Sequence, residues 1–350
     1  MKTRLFFALL LLSGMSLQSC MQTTSLQVLQ PADMRIPDHI GTIATIDRSK
    51  PASGFLNVLE GLFTGESIGQ DKRGRLKALD GLTHSLTRTP RFQVKPTDVE
   101  LEGTNAGENM AQPLSWSEIE TMCKIYDADA VLAIESYDSD VMVTTSSYLE
   151  KYKDKEGVER TRTKYRATAN LDVTIGWRLY DPKTKIIEDE FSVHLDESYS
   201  ATGDQESRAK SSLSDPVYRA FELSYRAGQR YGMRIAPVSV NVSRSFFSKG
   251  KGLYKDKMKQ AARLAEAGNW EEASAIWTQL LSDADQKTAG RAAHNLAVAS
   301  ERLGRLEEAL AMAEQAWTKY GNKTSRNYIG ILNQRINDDR RVRSQLPSRT

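Results

Sequence analysis

Two cysteines, four histidines and ten prolines in 350 residues leave little room for several common kinds of chemistry. A pair of cysteines cannot build a disulfide framework, and four histidines at positions 39, 84, 194 and 294 are too scattered to form a zinc site. Aromatic residues make up 8% and charged residues 27%, with a formal net charge of +3. A chain so close to neutrality lacks the strongly basic domain of a dedicated nucleic-acid binder. Proline and glycine are too sparse for a collagen or a low-complexity chain. No apolar run reaches the roughly 20 residues that cross a bilayer as a helix. No cofactor or metal site is read from these residues.

The N-terminus is the most informative stretch. Lys2 and Arg4 precede the unbroken apolar run Leu5–Leu12, and small or mildly apolar residues follow to Ser19. This is the layout of a secretory signal over residues 1–19. It ends in Leu17-Gln18-Ser19-Cys20, which resembles a bacterial lipobox, with Cys20 as the sulfur that takes the lipid. Three acyl chains on one cysteine, each methylene contributing about 0.8 kcal/mol, anchor a protein without spanning the membrane. No acidic run follows Cys20, so the expectation is an outer-membrane lipoprotein facing the periplasm. Removal of Lys2 and Arg4 takes the charge to 46 − 45 = +1 and leaves Cys123 as the one thiol.

Residues 20–36 are polar and aperiodic and are expected to be a tether. Residues 37–248 mix strand and helix patterns and are expected to form an α/β domain, a mixed sheet with covering helices. Leu171, Val173, Ile175, Trp177 and Leu179 alternate with polar residues, and Asp181-Pro182-Lys183-Thr184 turns the chain into a return strand. Ser115 with Glu118 has the capping-box spacing, and Asp215-Pro216 starts another helix. Val238–Phe246 is expected to close this sheet. Glu150–Arg166 holds 11 charged residues in 17 and is expected to be an exposed hairpin tip or a mobile loop.

From residue 249 the chain turns alanine-rich and helical. Gly268-Asn269-Trp270-Glu271-Glu272-Ala273 returns as Gly304-Arg305-Leu306-Glu307-Glu308-Ala309, a spacing of 36 residues, close to the 34 of a tetratricopeptide unit. The expectation for 249–350 is an all-α, tetratricopeptide-like helical repeat domain. Charge divides between the halves: 28 basic and 33 acidic residues in 20–248, against 18 and 12 in 249–350.

Gly65-Glu66-Ser67-Ile68-Gly69 matches the G-x-S-x-G elbow of serine hydrolases. Only 47 residues lie between the signal and Ser67, and the preceding Phe55–Phe63 has helical rather than strand spacing. An envelope hydrolase using Ser67 is therefore the lesser reading, and the chain is expected not to be an enzyme. If the first helix of each repeat lines a groove, the partner-facing residues are Lys255 and Met258 in one unit and Arg291, His294 and Arg302 in the next. Such a groove leans basic and suits a peptide or chain terminus bearing carboxylates.

Several segments together resemble an uncharacterised family of Gram-negative lipoproteins that join an α/β domain to tetratricopeptide-like helices: Leu59-Glu60-Gly61…Gly65-Glu66, Ala128–Leu132, Ile235-Ala236-Pro237…Val242-Ser243-Arg244 and Asn295–Glu301. The α/β half is also similar to periplasmic domains of curli-secretion, TolB-type and penicillin-binding-protein-activator lipoproteins. The resemblance implies an assembly factor or adaptor with a protein partner, not a catalyst. A self-assembling ring component of a secretion complex is the other reading it allows; oligomeric state is left open.

Overall fold

Strict period-two alternation through residues 171–179 places every second side chain on one face of a strand, and in the computed structural model those side chains are buried. The structure describes residues 21–51, 68–103 and 110–347. They divide into two compact units, one of residues 30–239 with the chain from 341 on, the other of the residues before 30 with 240–340.

The first unit holds a five-stranded sheet in the order β3-β2-β4-β5-β6. Its strands are β2 (Thr42–Pro51), β3 (Gln93–Gly103), β4 (Ala130–Lys153), β5 (Glu159–Asp181) and β6 (Ile186–Gly203). β2 runs parallel to both β3 and β4, and β4, β5 and β6 form an antiparallel meander. Parallel neighbours need crossovers, and α1 (Ile68–Thr87) and α2 (Trp116–Tyr126) lie in the two connections. α3 (Glu206–Ser211) and α4 (Pro216–Ile235) follow β6.

One sheet face carries Ile43, Leu132, Ile134, Val173, Ile175 and Trp177 in a common core with Leu82 and Leu86 of α1 and Leu223 and Tyr231 of α4. Trp177 and Tyr231 stack at 4.9 Å. α1 and α4 meet at glycines: a Cβ on Gly81 would lie 1.9 Å from the Tyr225 carbonyl oxygen, and one on Gly228 1.9 Å from that of Ala78. Only hydrogen fits at either point. Leu76, which the helical spacing groups with Leu82 and Leu86, is instead half exposed. On the opposite face Ile46, Val131, Ala133 and Tyr180 pack under Ile119, Met122 and Cys123 of α2. The expected capping box is present, the Ser115 side chain accepting from Glu118 N while Glu118 accepts from Ser115 N. Burial pushes the Cys123 thiol up to about 11, so it stays protonated at neutral pH.

β4 and β5 remain paired from Val131↔Tyr180 to Lys153↔Glu159, whereas β6 ends opposite Tyr165. Beyond that point the hairpin continues as a two-stranded ribbon. Its tip turns at Asp154, whose Oδ1 accepts from the backbone N–H groups of Glu156 (3.0 Å) and Val158 (2.9 Å). The charged 150–166 segment is thus a hairpin tip.

The second unit contains a two-stranded sheet of β1 (Met21–Gln30) and β7 (Val238–Phe247), then α5 (Lys255–Glu266), α6 (Trp270–Asp283), α7 (Gln286–Arg302), α8 (Leu306–Thr318) and α9 (Lys323–Gln345). Two expectations are corrected here. Residues 20–36 are not a free tether: 21–30 form β1, with Leu26 and Val28 buried. Ala32, further on, is fully buried and is bonded through its N–H and carbonyl to the Gln345 side chain. Val238–Phe247 is a strand as expected, but it pairs with β1 and not with the five-stranded sheet, so the helical unit begins near residue 240 rather than 249. A polar run at one end of the chain shows no period-two signal strong enough to reveal a partner more than 200 residues away.

The expected all-helical region is present as five helices. Gly268 and Gly304 carry φ of +90° and +77° at the turns after α5 and α7, a conformation that favours glycine. Ala261, Ala265, Ala273, Ala297, Ala309 and Ala313 form much of the core, and their small side chains let the helices approach closely.

Candidate functional site

α7 is the centre of the helical unit, with every residue from Thr288 to Glu301 except Arg291 buried. Its cap is Asp285, whose carboxylate accepts from the N–H groups of Lys287 and Thr288 at 3.1 Å each and is held below the usual carboxylate range by the Thr288 hydrogen bond. The loop into α9 crosses α7 at Gly290, where a Cβ would lie 2.8 Å from Tyr320 Cβ. Asn322 ties the crossing, donating to the Gly290 carbonyl (2.9 Å) while accepting from Thr324 N (3.0 Å).

This crossing leaves a cleft of about 700 Å³ lined by Phe247, the first turn of α7, Arg291 and the Tyr320–Lys323 loop. Lys287, Arg291 and Lys323 bring positive charge to it, and Asp285 one negative charge already committed to its cap. Arg291 donates to the Lys249 carbonyl at 2.5 Å and lies 5.2 Å from the centroid of the Phe247 ring. A second cleft of about 440 Å³ is lined by Ser243–Ser245, His294, Tyr328, Ile331 and again Lys323.

The residues expected to line a groove divide sharply. Arg291 reaches the first cleft and His294 the second. His294 is 2% exposed, however, its Nδ1 2.9 Å from Ser325 Oγ and its Nε2 3.0 Å from the Ser245 carbonyl; burial pulls its pKa down to about 4. Met258 is fully buried in the core. Arg302 is exposed but donates to the Ser25 carbonyl (2.8 Å) and lies 5.3 Å from the Trp270 ring. Lys255 is exposed at the start of α5 and lines neither cleft.

The face of α7 that repeat spacing assigns to a ligand is therefore filled from within the chain. Asn295 Oδ1 accepts from Phe247 N and its Nδ2 donates to Phe247 O, both at 2.7 Å, so β7 is held as another strand would hold it. Glu301, almost wholly buried, accepts both arms of Arg244 at 2.7 and 2.8 Å and the Tyr328 hydroxyl. The residues the sequence reading missed are Lys287, Lys323 and the Tyr320–Asn322 loop. Asn322 followed by Thr324 and Ser325 carried a capping signal that marks this corner.

Cys20 and Ser67 lie outside the described residues. Among the described residues no group of three His, Cys, Asp or Glu side chains is placed to hold a metal ion.

A mixed α/β sheet unit and a helical unit define the class to which the chain belongs. Residues 40–247, more than half of it, match the family described as Domain of unknown function (DUF8603), and the chain is a member of that family. Residues 259–334 match a second, Domain of unknown function (DUF6340). No curated protein matches. Solved structures similar to this chain include a homolog of neuraminyllactose-binding hemagglutinin from Helicobacter pylori (12% identity, 57% of this chain and 87% of that one, TM-score 0.26). The PelC dodecamer from Paraburkholderia phytofirmans (11%, 59% and 96%, TM-score 0.18) and the hypothetical protein CT253 from Chlamydia trachomatis (12%, 55% and 96%, TM-score 0.19) are also similar. Likeness at these scores carries no argument about this chain.

Proposed function

We propose that the protein is a non-enzymatic, lipid-anchored adaptor of the outer membrane, facing the periplasm, that holds a protein partner through its C-terminal helices. The observation that carries this reading is the pair of clefts on either side of Lys323. Lys287, Arg291 and Lys323 surround the larger one, and because Asp285 and Asn322 already cap the first turns of α7 and α9, these three side chains supply its positive charge. The chemistry suits an extended peptide or chain terminus bearing carboxylates. Each charge-assisted contact contributes about 1.5–3 kcal/mol.

In this reading α5–α6 and α7–α8 are two tetratricopeptide-like units, related by the Gly268 and Gly304 turns, and α9 closes the stack. Because β7 already packs on the face of α7 that carries Asn295, this reading assigns the partner to the Lys323 corner instead. The anchor is Cys20.

Two variants of the full chain test both parts. Cys20→Ser is expected to leave the protein unprocessed or released from membranes, and continued outer-membrane fractionation in high salt would contradict the anchor. Lys287→Glu with Lys323→Glu is expected to remove the partner that wild type captures from crosslinked envelopes. Capture of the same partner with the same salt dependence would contradict the site.

A further inference from the structure

We propose that the partner segment is the carboxyl-terminal end of a chain, added to the open edge of β7 as a parallel strand with its terminal carboxylate at Lys323. This rests on the reading of the Lys323 corner as the partner site and states how the partner is held there. The argument starts from the backbone of β7. In a strand the N–H and C=O groups of every second residue point to the same edge. Asn295 takes both groups of Phe247 at 2.7 Å, so the odd-numbered residues of β7 face α7. Other α7 side chains follow the same rule. His294 Nε2 donates to the Ser245 carbonyl at 3.0 Å, Arg291 donates to the Lys249 carbonyl, and Thr288 Oγ1 accepts from Lys251 N at 3.0 Å. From Ser245 onward, helix side chains stand where a neighbouring strand would be.

Upstream the same edge is open. The two-residue period points the backbone groups of Asn241 and Ser243 the same way, and both residues are exposed. Among the described residues no α7 side chain is bonded to the backbone of either; the Ser243 carbonyl accepts from its chain neighbour Arg244 at 3.1 Å. The cleft of about 440 Å³ lies against this stretch, with Ser243–Ser245 on one side and the start of α9 on the other. His294 bridges the two sides, from Ser245 to Ser325, so Lys323 marks the Ser245 end. Ile331, 43% exposed, lies further along α9. From Lys323 to Ile331 the helix rises about 12 Å, and from Asn241 to Ser245 the strand extends about 13 Å. The two walls match in length and hold about four extended residues between them. An edge strand beside a helix is the arrangement that binds a peptide by strand addition.

Charge sets the direction of the added strand. No carboxylate lines this cleft, Arg244 is committed to Glu301, and Lys323 has no ion-pair partner among the described residues. At Ser245 the edge closes, because His294 and Asn295 already hold it. A strand added upstream therefore leaves the edge at Lys323, where Arg291 and Lys287 of the larger cleft add further positive charge. A chain that ended there in an ammonium group would be repelled, and one that ends in a carboxylate is held. A strand with its carboxyl end at Ser245 runs in the same direction as β7.

The test uses the full chain and a displayed library of random peptides with free carboxyl ends. The tightest binders are resynthesised as free acids, as carboxyl amides, and with a single backbone N-methyl group at each residue in turn. Amidation of the peptide and Lys323→Glu in the protein are each expected to weaken binding about tenfold or more. N-methylation is expected to weaken it similarly at alternate residues and to leave it unchanged between them, the period of a strand paired along one edge. Ser243→Pro, which removes an N–H from that edge, is expected to weaken binding as well, whereas Ser243→Ala binds as wild type does. The N-methyl groups lie on the peptide, so that arm stands whatever proline does to the fold. Binders that depend on Lys323 but show no two-residue period, or that tolerate amidation, would overturn the parallel terminal strand and leave the site standing. A library that yields no binder sensitive to Lys323→Glu would overturn the site and this inference together.

Discussion

His294 shows how one buried side chain ties stability to pH. Its ring spans from the Ser245 carbonyl on β7 to Ser325 Oγ on α9, and burial holds its pKa near 4, below the ordinary 6.5. The folded chain therefore binds the proton less readily than the unfolded chain. This contribution to stability is complete above about pH 6.5 and is lost as pH falls toward 4, after which it levels off. Between pH 7 and pH 4.5 the loss is on the order of 2–3 kcal/mol. Hydrogen exchange of α7 amides should show that loss in wild type and a much smaller one in His294→Gln; equal slopes would remove His294 as the cause. In the sequence His294 shares a helical face with Arg291 and Val298, and spacing alone suggests a groove. What occupies that face is a strand distant in sequence, which helical periodicity does not encode.

At the scale of elements, local signals were legible wherever the physics was local. The alternation through Trp177, the Asp181–Thr184 turn, the Ser115–Glu118 capping box and the Asp215–Pro216 helix start all stand in the structure where the residues place them. Asp181 accepts from Lys183 N (2.9 Å) and Thr184 Oγ1 (2.7 Å), closing the turn with its own carboxylate. β1 was not legible, because its burial comes from a pairing with β7 across more than 200 residues. Leu26 gives the test. At 4% exposure, Leu26→Asp places a charge where apolar contacts stood and should cost roughly 3 kcal/mol or more. Exchange protection across β7 and α7 is expected to fall. Unchanged protection would return residues 21–30 to the status of a tether.

For the whole molecule, membership of a family without an assigned activity leaves function to be argued from surfaces. No helix among the described residues is long and apolar enough to cross a membrane. Of the candidate site, Arg291 was legible from repeat spacing; Lys287 and Lys323 were not, because their cleft is made by the α8–α9 loop crossing α7 at Gly290. A repeat pattern reports which residues stack, and a loop crossing depends on a close approach that only the fold displays. The central claim is that a partner segment bearing carboxylates is held at the Lys323 corner. Photocrosslinking in living cells tests it most directly, with a crosslinking amino acid placed in the full chain at Lys287 or, for comparison, at Lys255. The account predicts a defined adduct from position 287 that disappears when Lys323→Glu is added, and none from position 255. An adduct at 255 but not at 287, or one at 287 that survives Lys323→Glu undiminished, would contradict it.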